Sequence, residues 1–140
     1  MTKPISSMLV AAILATGACD RVSQPNRVVG TWLVHDRKAP FPMHMYVFNA
    51  DGTMQQANPD AGDRHDSDSD GKGVWAADGN RIRGKWVQIL ADRGTHRLAG
   101  RGEYSFEISV VGNRLSGNGA MHLFDADNRQ METVPTTLTG

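Results

Sequence analysis

Tight-turn residues recur along the chain and leave only short runs between them: Asp51-Gly52, Asp78-Gly79-Asn80, Gly112-Asn113 and the stretch from Asp125 to Asn128. Gly, Asn and Asp accept the backbone angles of two- to four-residue turns, so such pairs between apolar runs mark antiparallel strands joined directly. The runs carry a period of two. Between residues 103 and 110, Tyr104, Phe106, Ile108 and Val110 alternate with Glu103, Ser105, Glu107 and Ser109, giving one dry face and one wet one. No sustained helical period follows residue 27, although a short helix after the first strand is compatible with the pattern. About eight short strands joined in sequence leave a sandwich or a barrel. Consecutive hairpins with no long return connection favour an all-β, antiparallel up-and-down barrel, whose closure removes exposed edges.

That barrel occupies residues 28–140, and two short segments precede it. Residues 1–19 have Lys3 ahead of an apolar and small-residue stretch, "MLVAAILATGAC", ending at Cys19. This is the layout of an export signal, and the run is too short to span a bilayer as a helix. Cys19 stands where a bacterial lipoprotein signal places its lipidated cysteine, although Thr16 replaces the usual leucine three positions earlier. Lipidation would tether the chain to a membrane in the periplasm or cell envelope; ordinary cleavage nearby would secrete it; a cytosolic protein is the third reading. Residues 20–27, "DRVSQPNR", read as a polar tether. Cys19 is the one cysteine, so the barrel has no internal disulfide and no thiol nucleophile. Fifteen Lys and Arg balance fifteen Asp and Glu, which argues against a nucleic-acid partner.

Gly30-Thr31-Trp32 on the first strand, "FNADGT" at 48–53, "GVW" at 73–75 and Gly79-Asn80 together resemble small bacterial lipocalin-like (calycin-type) barrels. The G-x-W tripeptide recurs at Gly84-Lys85-Trp86, and the C-terminal helix of lipocalins has no counterpart here. The resemblance implies a barrel with Trp32 buried at its closed end beside Phe48, Trp75, Phe106 and Leu123. It implies an interior that holds a small apolar or amphipathic molecule without a cofactor.

Candidate sites follow from the same patterning. Asp66, Asp68, Asp70 and Gly71 copy the opening of a calcium loop, yet position twelve is Ala77 rather than glutamate and the flank reads as strand. A solvated loop with Arg64 and Lys72 as counter-charges is the expectation, with metal the lesser alternative. The two long connections, 37–42 and 58–72, would frame an entrance if they share an end. His44 alternates with Tyr46 and Phe48, opposite Met43 and Met45. A base, a phenol and a carboxylate at His44, Tyr46 and Glu107 would support proton transfer if they lined a cavity; the competing expectation puts all three on wet faces. The thioethers of Met43 and Met45, with Phe48 and Trp86, are the expected ligand-binding set. Three functions remain open: a small-molecule binder, a barrel isomerase, cyclase or dehydratase, and a structural envelope lipoprotein.

Overall fold

Each turn signal makes the turn expected of it. In a computed structural model, which describes residues 26–140, Gly52, Gly79 and Gly112 take φ of +85°, +59° and +61°, and Asn128 takes +67°. The Asp51 carboxylate locks its turn by accepting from the Thr53 backbone N–H at 2.9 Å and from the Thr53 hydroxyl at 2.6 Å. The export-signal reading of residues 1–19, with Cys19, and most of the tether lie outside the described residues.

Among the described residues there are nine strands and no helix: β1 (Gly30–Asp36), β2 (Met43–Phe48), β3 (Thr53–Ala57), β4 (Asp66–Asp68), β5 (Gly71–Asp78), β6 (Arg81–Asp92), β7 (Leu98–Val111), β8 (Arg114–Asp125) and β9 (Gln130–Thr139). Eight of them close a ring in the order β1-β2-β3-β5-β6-β7-β8-β9, with β9 returning to β1. The protein is therefore an antiparallel up-and-down barrel. The ninth strand, β4, is the surprise. It forms within the acidic connection, pairing Asp66–Asp68 with Leu90–Asp92 on the overhang of β6.

Closure is uneven. β6, β7 and β8 pair along most of their lengths, whereas β1 meets β9 at two positions, His35↔Thr139 and Asp36↔Leu138.

The core fills the half of the barrel nearer the tight turns. Tyr46, Phe48, Met54, Ile82, Phe106, Ile108, Val110 and Leu115 are buried there. Phe48 packs edge-on to Trp75 (5.8 Å, 88°) and to Phe106 (6.0 Å, 77°). Trp32 differs from its expected role. It is half-buried rather than buried, lying against the core while its indole N–H donates to the Val28 carbonyl at 2.8 Å. Trp75 and Leu123 are likewise half-buried.

Candidate functional site

The up-and-down order puts the connections 37–42, 58–70, 93–97 and 126–129 at one end and the tight turns at the other. The two long connections do share that end. They also touch: a Cβ placed on Gly62 would lie 2.5 Å from the Phe41 nitrogen. Below them lies a cavity of about 280 Å³, lined by Ala39, Pro40 and Phe41 from one loop and by Asn58, Gly62 and Asp63 from the other. Its deeper walls are Trp86, Gln88, Leu90, Tyr104, Met121, Leu123, Val134 and Thr136.

Asp36 organises the polar side of this cavity. In phase with Trp32 and Val34, it points inward and is only 5% exposed. Its Oδ1 accepts from the Lys38 and Ala39 backbone N–H groups at 2.9 and 3.2 Å, which folds the 37–42 loop over the barrel. The same oxygen accepts from the Thr136 hydroxyl, and Oδ2 accepts from the Tyr104 phenol at 3.2 Å. A buried carboxylate is tolerable when its lone pairs are filled in this way.

His44 is held next to it. Gln56, fully buried, accepts from the Gly71 N–H through Oε1 at 3.1 Å and so presents its amide N–H₂ to His44 Nδ1 at 2.9 Å. Nδ1 must then accept, which leaves the ring neutral with its proton on Nε2. Burial acts in the same direction, holding the imidazole below its ordinary pKa despite Asp36 nearby. Burial also raises both tyrosines, so Tyr46 and Tyr104 remain phenols across the physiological range. Trp86 stacks on Tyr104 with ring centres 4.8 Å apart and planes 9° from parallel.

The candidate residues from the sequence are thus divided. His44 and Tyr46 face inward, against the expectation of a wet face, because β2 turns its aromatic side to the core. Met43 and Met45 consequently face outward, each 44% exposed, and do not line the cavity. Phe48 lies in the core beneath the cavity, whereas Trp86 reaches its wall. Glu107 sits on the outer surface, paired with Arg81 at 2.6 Å and Arg83 at 2.9 Å, so the His44–Tyr46–Glu107 grouping is not assembled. Asp66 and Asp68 are on the cavity rim and Asp70 is not. Among the described residues no three metal-ligating side chains converge.

Asp36, Gln56, Gln88 and Tyr104 escaped the sequence reading as site residues. The period of two was the available signal for Asp36, Gln88 and Tyr104, since each continues a buried register: Trp32-Val34-Asp36, Trp86-Gln88 and Tyr104-Phe106. No family model, curated protein or solved structure matches the chain.

Proposed function

We propose that this chain is an exported, lipocalin-like barrel that binds one small amphipathic molecule in the cavity between its two long loops. The observation that carries the reading is the cavity itself. It is open at one end, and apolar walls from Leu90, Met121, Leu123 and Val134 stand beside the polar groups of Asp36, His44 and Gln88. That mixture of apolar surface with a few placed polar groups is the usual make-up of a small-molecule site, and about 280 Å³ lies near the lower end of such sites. A barrel serving only as a structural element would fill this space with side chains. Export is supported by the basic start and apolar run of residues 1–19.

The test is binding of a neutral apolar dye, N-phenylnaphthylamine, followed by its fluorescence. Met121 lines the cavity, so Met121→Trp fills it from the wall. The wild-type protein binds the dye, and the variant binds it about tenfold more weakly or worse, a loss of roughly 1.4 kcal/mol. Equal affinity in a variant with wild-type circular dichroism would overturn the assignment of ligand to cavity.

A further inference from the structure

We propose that the ligand is an uncharged carbonyl compound, an apolar body whose oxygen accepts from the His44 and Trp86 ring N–H groups of the cavity wall. This rests on the cavity being a ligand site, and it concerns the head group that the site selects.

Most polar groups inside the cavity are spent on one another. Asp36 accepts from the Lys38 and Ala39 N–H groups and from the Tyr104 and Thr136 hydroxyls, which commits both hydroxyls as donors. Asn58 Oδ1 accepts from the Gln56 amide. Two buried nitrogens are left over among the described residues: His44 Nε2 and Trp86 Nε1 have no hydrogen-bond partner. Both residues line the cavity, and they are only 7% and 2% exposed. Buried polar atoms are nearly always paired in folded proteins, so two orphans on the wall of one cavity call for a partner from outside the chain.

Both orphans are donors. An indole N–H donates and cannot accept. The imidazole could do either, but Gln56 decides it: its oxygen is held by the Gly71 N–H, so its amide N–H₂ faces Nδ1 at 2.9 Å and the ring proton stays on Nε2. Burial keeps the ring neutral, which preserves that arrangement. The nearest groups fall short. The Phe41 backbone beside the imidazole and the Tyr46 phenol beside the indole act on ionisation in the site, yet neither closes a hydrogen bond to the open nitrogen. Both nitrogens have almost no surface open to water, so an acceptor seats against them when the wall side chains give slightly, as interface side chains commonly do on binding.

The charge around the opening narrows the kind of acceptor. Asp36, Asp63, Asp66, Asp68 and Glu132 line the cavity beside a single lysine, Lys38, with no guanidinium among the lining residues. These carboxylates select no head group by themselves, but they repel an anionic one. Two unspent donors in a negative surround therefore favour an uncharged acceptor. A carbonyl oxygen brings two lone pairs, one for each donor, and no hydroxyl hydrogen that needs a partner of its own.

The experiment compares five ligands built on one phenyl ring: acetophenone, α-methylstyrene, α-methylbenzyl alcohol, benzoate and α-methylbenzylammonium. Each competes with N-phenylnaphthylamine for the wild-type protein near neutral pH. α-Methylstyrene copies the shape of acetophenone with a methylene carbon in place of oxygen, and it leaves water more readily, so it wins in a site without donors. Acetophenone is expected to bind most tightly of the five. Binding as tight or tighter by any of the other four would overturn the carbonyl while leaving the cavity a ligand site. Failure of all five to displace the dye would overturn the cavity reading itself and this inference with it. The infrared carbonyl stretch of bound acetophenone is expected below its frequency in hexane, and an unshifted stretch would overturn the hydrogen bonds. Trp86→Phe and His44→Phe each keep a ring and lose an N–H. Each is expected to weaken acetophenone about tenfold and to leave α-methylstyrene within roughly threefold; equal losses for the two ligands would overturn the assignment. The wild-type comparison and the carbonyl stretch decide the matter even if neither variant folds.

Discussion

Replacing Tyr104 with phenylalanine isolates one bond in the interior of the barrel. The phenol is the only side-chain donor to Asp36 Oδ2 among the described residues, at 3.2 Å, whereas Oδ1 keeps the Lys38 and Ala39 N–H groups and the Thr136 hydroxyl. The ring survives the change, so its stacking on Trp86 at 4.8 Å and its burial are retained. What is lost is a hydrogen bond to a charged acceptor, worth about 1.5–3 kcal/mol. The bond is at the long end of its range, and the adjoining cavity is open to water, which together place the loss near about 1.5 kcal/mol. Urea unfolding followed by tryptophan fluorescence should show a lower midpoint with an unchanged slope, since the surface exposed on unfolding is the same. In a thermal scan the shift is roughly 6 °C for a domain of this size. A loss below about 0.5 kcal/mol would show that the carboxylate does not depend on the phenol, and the account of Asp36 as an organising group would fail.

Two further outcomes are expected. His44 has a folded pKa below its ordinary 6.5, so on acidification the unfolded chain takes up the proton first; the stability it contributes is complete above about pH 6.5 and is lost as pH falls toward the folded value. Thermal midpoints should therefore decline across that window more steeply in the wild type than in His44→Gln, and parallel declines would refute the assignment. Mass spectrometry of the protein from its native host should show a chain starting near Cys19; an intact Met1 would exclude export, and an unmodified Cys19 would exclude a lipid anchor.

The fold was legible because its turns are local. Asp51-Gly52, Asp78-Gly79 and Gly112-Asn113 need only their own residues to specify a reversal, and the alternation between them sets the strands. Which face turns inward is a different matter. "MHMYVF" in β2 is apolar on both faces, and burial of the aromatic side depends on Phe106 and Trp75, far away in sequence. His44 is acceptable inside only because Gln56, on the neighbouring strand, meets its Nδ1. The acidic stretch reads as a solvated loop because nothing local calls for pairing. The demand comes from β6, whose 12 residues outrun the 8 of β5 and leave Leu90–Asp92 without a β5 partner on the edge away from β7. The entrance, by contrast, followed from loop lengths and strand order alone.

The narrow β1–β9 join alters what Asp36 is for. Hairpins along the chain form from nearby residues, but the ring closes only when β1 finds β9 across the whole sequence, at the largest entropic cost of any pairing in the molecule. Two residue positions of ladder are a meagre return on that cost. Asp36 supplies the rest, reaching Thr136 on β9, 100 residues away, and Tyr104 on β7, 68 residues away. The carboxylate that conditions the cavity is thus also the clasp that holds the barrel shut. Evolution of the site is constrained accordingly: Asp36 cannot be retuned for binding without loosening the ring.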